Sequence, residues 1–343
     1  MKLKQIFTWL IKASVAIIIS LSLMCGFSLL YDNTPTHFDN TSNATDYKYQ
    51  PNKFYSKATE GIAWGFTNND GFNNELDIGQ KDIDILLMGS SQEEAYNVKT
   101  SQNTASQLNR LFGGKLYTYS IAQSSSTLPY LVRNLDSAIN VYKPKKYVLF
   151  EVQSIIIKPD AAIKAVNNNL ERLTSASGIS AELQKVPYFR VLYHQLSDYK
   201  LLNAKTDKVS DNQSDSITDE YAESLDLLMK KIEDTCKKHS VEPIIYFHPH
   251  LSLNNDKTVT LLDISTPLNE VIDYRNLYKS ECEKHGITFV DMSEAFIRSY
   301  NENKTLPHGF CNTKIGIGHL NADGHRIIAE NLKIIIEEKA VAK

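Results

Sequence analysis

The stretch Asp82–Gln92 reads Asp-Ile-Asp-Ile-Leu-Leu-Met-Gly-Ser-Ser-Gln, and it limits the fold more than any other part of the chain. Ile83 to Met88 is a short, largely apolar and partly β-branched run, the pattern of a strand buried on both faces of a parallel sheet. Gly89 ends the run, and two hydroxyls and a helix-compatible segment beginning Gln92-Glu93-Glu94-Ala95 follow it. A strand that turns on a glycine into a helix delivers its next side chain to the carboxyl edge of the sheet, where open α/β sheets bind their ligands. A serine there is a candidate nucleophile, with helix N-terminal amides near enough to steady an oxyanion. A serine that only caps the helix fits the same pattern.

The rest of the chain alternates in the same way. A helix is expected from about Glu93 to Phe112, ended by Gly113-Gly114, then a strand over Lys115–Ile121. A helix over about Thr127–Asn140 leads to a third strand, Tyr147–Val152. Further on come a helix over about Asp219–Lys238, a strand Pro243–Phe247, a helix over about Asn269–Lys284 and a strand Ile287–Val290. Strand–helix–strand repetition predicts an α/β fold of three layers, a flavodoxin-like doubly wound parallel sheet of about five strands.

One helical insertion, about 155–218, interrupts the alternation after the third strand. Ala161–Leu173 and Ser180–Asn203 read as helices, and Ser210-Asp211-Asn212-Gln213-Ser214-Asp215-Ser216 as a polar linker. Its tyrosines Tyr188, Tyr193 and Tyr199 suit a lid or a glycan-binding wall, and equally a decoration that only packs.

At the N-terminus, Lys2, Lys4 and Lys12 precede an uncharged run from Ala13 to Tyr31, about the ~20 residues that span a bilayer. Basic residues before the run and Asp32 after it put the bulk of the protein outside the cytoplasm by the positive-inside rule. A cleaved signal peptide is the alternative, but no small-x-small site follows, so a retained single-pass anchor is expected over residues 1–31. Residues 32–60, rich in Asn, Thr, Asp and Tyr, read as a stalk, and 61–343 as the α/β domain. Within that domain Asn69-Asp70-Gly71-Phe72-Asn73-Asn74 reads as an Asp-Gly turn. A net charge of −3 argues against a nucleic-acid partner.

The second informative stretch is Gly318-His319-Leu320-Asn321-Ala322-Asp323-Gly324-His325. Asn321 is a plausible N-cap, and Ile327, Ile328, Leu332, Ile335 and Ile336 recur at helical spacing from Ala322 to about Glu338. His319 therefore precedes the last helix, at the sheet edge where Ser91 is expected. Together the two stretches resemble the SGNH (GDSL-type) hydrolases. That resemblance implies Ser91 as nucleophile, with Ser90 in place of the family's aspartate, His319 as general base, and a packing role for His325. A stretch like Asn69–Phe72 precedes the serine block in membrane-tethered members, and the segment from His308-Gly309-Phe310 to Gly318 resembles their last block.

Besides Ser90, three positions depart from the family's pattern. The Asp-x-x-His aspartate falls at Gly316, so the group behind His319 comes from elsewhere or is a backbone carbonyl. Asp291 is a candidate by elimination, although capping the next helix suits it better. For the oxyanion and substrate the resemblance points to the turn Gly89-Ser90, to Ser125 at the family's glycine position and to Gln153 at its asparagine position. His248 and His250, at the edge after the fourth strand, are candidates for the substrate pocket, and His308 for a supporting place beside it. No metal-ligand cluster accompanies the histidines and no cofactor is expected. Beyond the anchor, Cys236, Cys282 and Cys311 cannot all pair within one chain.

The expected function is then an extracytoplasmic serine esterase or O-acyltransferase. The resemblance implies acyl groups, acetyl foremost, on a cell-surface or secreted polysaccharide, with a multi-pass membrane acyltransferase as a possible partner. Two rivals remain at this point. One is a catalytically impaired module that binds glycan or an assembly partner; the other is a lipid esterase or thioesterase.

Overall fold

The computed structural model describes residues 3–33, 37–39, 45, 47–153, 159–171, 182, 186, 188–189, 191–192, 219–262, 274–313 and 316–341. Five parallel strands form the central sheet: β6 (Ile85–Met88), β7 (Thr118–Ser120), β8 (Tyr147–Val152), β9 (Glu242–Phe247) and β12 (Thr288–Asp291). Their spatial order is β7-β6-β8-β9-β12, the 2-1-3-4-5 order of a flavodoxin-like sheet. The carboxyl end of β6 therefore lies between two neighbours, and Ser91 follows it at the switch point.

Burial on both faces explains why β6 reads as a continuous apolar run. Ile85 and Leu87 face one layer, against Leu108 of α3 (Thr104–Leu111), Phe296 of α8 (Ser293–Asn303) and Ile328 and Leu332 of α9 (Ala322–Val341). Leu86 and Met88 face the other, against Leu131 and Leu135 of α4 (Leu128–Tyr142) and Leu228 and Ile232 of α6 (Asp219–Lys238). Each such side chain, fully withdrawn from water, contributes about 1.5–3 kcal/mol before chain entropy is counted. Cys236 of α6 and Cys282 of α7 (Tyr274–Lys284) lie within the second layer as free thiols.

The expected helix over Glu93–Phe112 is instead broken. A four-residue helix, α2 (Ser91–Glu94), stops at Ala95, which takes a left-handed conformation at φ 58°. Asn73 Nδ2 donates to the carbonyls of Glu94 and Ala95, and Asn103 caps α3 through the Ser106 amide. These buried asparagine contacts hold the break where one continuous helix was expected. The Asp70-Gly71 turn is present, with Gly71 at φ 84°, but Asn73 and Asn74 after it are buried rather than part of a surface turn.

Residues 32–60 are not a free stalk. β1 (Asp32–Asn33), β4 (Phe54–Lys57) and β5 (Ala63–Phe66) form a small antiparallel sheet directly after the long helix α1 (Leu3–Tyr31). Tyr55 is fully buried against Tyr96, and its hydroxyl donates to Asn73 Oδ1 at 3.2 Å. Pairing across β4–β5 orders a segment whose polar composition suggests a tether. Two short hairpins complete the strands: β2 (His37–Asp39) with β3 (Tyr47–Tyr49), and β10 (His250–Leu253) with β11 (Val259–Leu262). α1 is almost wholly exposed and is long and apolar enough to cross a membrane.

Of the insertion, α5 (Pro159–Val166) is described and packs on α6. Most of Ser180–Asn203, the linker 210–216, and Tyr193 and Tyr199 lie outside the described residues.

Candidate active site

Three side chains from distant parts of the chain meet at the carboxyl edge of β6. Ser91 opens α2, His319 lies in the loop before α9, and Glu60 occupies the turn between β4 and β5. His319 Nδ1 lies 2.6 Å from Glu60 Oε2, and its Nε2 lies 3.0 Å from Ser91 Oγ. A carboxylate only accepts, so Nδ1 carries the hydrogen and Nε2 is left to accept from the serine hydroxyl. The other carboxylate oxygen, Oε1, accepts the backbone N–H of His319 at 2.6 Å. Ser91 and His319 are half-buried and reachable from solvent.

Glu60 fills the place left open by Gly316. Burial works to raise its pKa, but the hydrogen bonds and charge of His319, with Lys57 nearby, win and hold it below the usual carboxylate value. Asp291 is elsewhere: it accepts from the Ser293 amide at 2.8 Å at the start of α8 and lies 3.7 Å from Arg275 Nε. Gly318 is required for the fit. A Cβ there would sit 2.2 Å from Glu60 Oε1, and its φ of 108° disfavours any side chain.

The loop carrying His319 is gripped from several directions. Gln92 Oε1 accepts the Leu320 amide at 2.7 Å, and His250 Nε2 donates to the Gly318 carbonyl at 2.9 Å. Gly309 N donates to the His319 carbonyl at 3.0 Å. Asn321 Oδ1 accepts the Asp323 and Gly324 amides as an N-cap, while its Nδ2 donates to Leu306 and Gly309 carbonyls. Gly324 brings the first turn of α9 close to the Pro307 carbonyl, which a Cβ would meet at 2.3 Å. The spacing His-Leu-Asn-x-x-Gly-His is thus a packing requirement as much as a chemical one. His325 is buried, with Nδ1 2.9 Å from Thr104 Oγ1, a structural position.

Several expected substrate contacts lie beneath the site instead. His248 is fully buried, its Nε2 2.9 Å from Glu151 Oε1. His250 is buried and committed to Gly318, and His308 stacks on it at 3.8 Å between ring centres. Burial holds His250 down at about 4 and His308 well below the usual histidine value, so both are neutral at pH 7. His250 thus supports the loop at Gly318 with His308 packed on its ring, and His248 underpins Glu151. The place of His248 and His250 after β9, at the ligand edge, made those two look like substrate contacts, whereas His308 was expected in a supporting place.

The Gly89-Ser90 turn rests on Glu151. Burial would raise this carboxyl, but the His248 hydrogen bond and charge, the Ser90 amide at 2.6 Å and Gln153 bring it down to about 2. Gly89 leaves room for it, since a Cβ would lie 3.0 Å from Glu151 Oε2. Gln153 spends its Nε2 hydrogens on Glu151 Oε1 at 2.8 Å and Ser90 Oγ at 3.3 Å, so it has none for an oxyanion. Ser90 N is taken by Glu151, and Gln92 N by Ser90 Oγ. Among the described residues the Ser91 amide has no acceptor, and it is the donor left at this turn. Ser125 is exposed at φ 67°, the left-handed backbone that glycine favours at the matching family position.

Two acids behind the Ser91 turn went unread in the sequence. Burial, then repulsion from Glu151, raises Glu93 to about 8, and burial raises Glu94 to about 7 against its Ser124 hydrogen bonds. Glu60 was missed for another reason. It lies 259 positions from His319 in a segment read as a stalk, and the hairpin pattern Phe54–Lys57 and Ala63–Phe66 was the one available signal.

Fold and site together define a class: a doubly wound α/β protein with a Ser–His–Glu hydrogen-bonded array at the switch point of its sheet. No family model and no curated protein matches the chain. Among solved structures it is similar to an acetyl xylan esterase, at 11% identity and TM-score 0.42, covering 74% of this chain and 99% of that one. It is similar also to a protein described as a lipolytic member of the G-D-S-L family from Desulfitobacterium hafniense, at 12% identity and TM-score 0.38, covering 73% and 98%. A third is the psychrotrophic esterase EstA from Pseudoalteromonas sp., at 13% and 0.37, covering 76% and 99%. The strand order and the two sequence blocks agree with the SGNH (GDSL-type) hydrolases. Likenesses this distant leave the reaction to be argued from the chain's own residues.

Proposed function

We propose that this chain is an SGNH-like serine esterase or O-acyltransferase, acting outside the cytoplasm on acyl esters, acetyl foremost, of a cell-surface or secreted polysaccharide. The continuous chain Ser91 Oγ–His319–Glu60 carries the reading. A serine hydroxyl is a weak nucleophile until a base takes its proton, and the base needs its tautomer fixed. Ser91 Oγ attacks the acyl carbonyl while its proton passes to His319 Nε2, and Glu60 stabilises the imidazolium. The Ser91 amide, with the Ser125 amide as second candidate, meets the oxyanion. His319 then returns the proton to the leaving sugar oxygen as the ester C–O bond breaks, leaving an acyl-Ser91. Water or a sugar hydroxyl, deprotonated by His319, attacks the acyl carbonyl, the acyl–Oγ bond breaks, and His319 returns the proton to Ser91 Oγ.

The impaired-module rival rested on the missing Asp, Gly and Asn equivalents; Glu60 offers the carboxylate, while Gln153 has no hydrogen left for an oxyanion. Location outside the cytoplasm is supported by Lys2, Lys4 and Lys12 before the apolar run and Asp32 after it. The polysaccharide, and a multi-pass acyltransferase as partner, rest on the resemblance.

Turnover of nitrophenyl esters across chain length, with acetate release from an O-acetylated polysaccharide, tests the reading. Preference for acetyl and release of acetate support it. Preference for long chains points to a lipid esterase, and no turnover with any ester returns the binding module.

A further inference from the structure

The face of the small β1–β4–β5 sheet that looks away from the domain is covered by the end of α1 at Ser56 and carries an exposed apolar stripe along β5. Ile62, Trp64 and Phe66 alternate along β5 and its entry and are 62%, 60% and 62% exposed, while Ala63 between them is buried. The register pairs Phe54 with Phe66 and Ser56 with Trp64, and paired residues share a face, so Phe54 and Ser56 lie on this side too. The Phe54 and Phe66 rings meet edge to face at 5.5 Å.

The same face meets the end of α1. Ser56 Oγ donates to the Leu29 carbonyl at 2.6 Å, and the Ala58 amide donates to the Tyr31 carbonyl at 2.8 Å. The aromatic stripe is therefore continuous with the last turn of the apolar helix. From Ala13 to Tyr31 that helix rises about 28 Å, close to the ~30 Å of a hydrocarbon core. Its last turn then lies at a membrane boundary, the depth that tryptophan and other aromatic side chains favour.

A second apolar element reaches the same zone. A cavity of about 400 Å³ is lined by Leu23, Met24 and Phe27 of α1 and by Tyr188, Val191 and Leu192 of the insertion. Leu23 to Phe27 lie about 6–12 Å below Tyr31 along the helix. Leu192, which lines that cavity, and Phe189 nearby in sequence are each more than a third exposed.

We propose that the face bearing Ile62, Trp64 and Phe66 is a second membrane contact. It sits in the headgroup boundary of the leaflet where α1 ends, and Leu192, against Leu23–Phe27 of α1, lies deeper in the same leaflet. Glu60 is two residues before Ile62, so this contact holds the Ser91–His319–Glu60 site at the bilayer surface and selects for esters presented there. The proposal rests on α1 spanning the bilayer.

The chain has two tryptophans, Trp9 in α1 and Trp64, so each is reported alone by one substitution. The full chain carrying Trp9→Phe, or Trp64→Phe, is reconstituted in phosphatidylcholine–phosphatidylglycerol vesicles with and without brominated lipids. The expected result is a blue-shifted Trp64 emission that loses more intensity to bromines near the headgroup than to deep ones. Phe66→Ser in the Trp9→Phe chain lessens that loss. A Trp64 that stays water-exposed and unquenched while Trp9 is quenched overturns the second contact and leaves the anchor standing. If neither is quenched, the membrane reading of α1 fails and the contact with it.

Discussion

Glu60 makes both of its oxygens serve one residue: Oε2 faces His319 Nδ1, and Oε1 accepts the His319 backbone amide. Glu60→Gln keeps the shape but offers the ring a donor on one side, which favours the wrong tautomer. The loss expected in kcat is about 10²–10⁴-fold with KM little changed, read from steady-state hydrolysis of nitrophenyl acetate. Glu93 behaves oppositely. Its pKa is raised to about 8, burial first and Glu151 second, so the folded chain holds a proton that the unfolded chain gives up near the ordinary value. Stability is therefore lost as pH rises from about 4.5 through about 8 and is level above that. Glu93→Gln, which still accepts from Thr104, is expected to gain stability over the wild type at about pH 9 and not at about pH 4, measured by urea unfolding.

Three strands of the sheet converge on one buried carboxylate. Glu151 on β8 receives the Ser90 amide after β6 and lies 2.9 Å from His248 Nε2 after β9. Glu151→Ala leaves that amide and that imidazole buried without an acceptor. The expected cost is about 3–5 kcal/mol in denaturant titration, as for breaking a buried pair from one side. This layer was poorly legible in sequence because a polar residue after a strand reads the same whether it faces a substrate or underpins a turn. The strands themselves were legible. Tyr147–Val152 has the bounds expected of it and β6 falls on its expected apolar run, because burial on both faces writes itself as near-continuous hydrophobicity, while β7, β9 and β12 lie within a residue of the expected stretches. The helix expected after Ser91 is interrupted at Ala95, held by Asn73, and nothing in the sequence of Glu93–Phe112 marks Ala95 as a left-handed residue.

At the scale of the molecule, Ser91 and His319 could be paired from sequence since each borders a strong element, β6 or α9. Glu60 could not, because hairpin pairing next to α1 orders its segment, and apolar content does not. Membrane sidedness is testable with the native cysteines: Cys311 is exposed, Cys236 and Cys282 are buried, and Cys25 lies within α1. A membrane-impermeant maleimide applied to intact spheroplasts expressing the full chain is expected to label Cys311 and to lose that label in Cys311→Ser. Labelling only after lysis places the domain on the cytoplasmic side.

The most direct measurement is covalent capture of the serine. The full chain, treated with a fluorophosphonate and read by peptide mass spectrometry, is expected to carry one phosphonyl adduct, on Ser91. The adduct disappears in Ser91→Ala and is strongly reduced in His319→Ala. An adduct that survives Ser91→Ala, or a folded wild-type chain that stays unmodified under conditions that label a known serine esterase, contradicts the account.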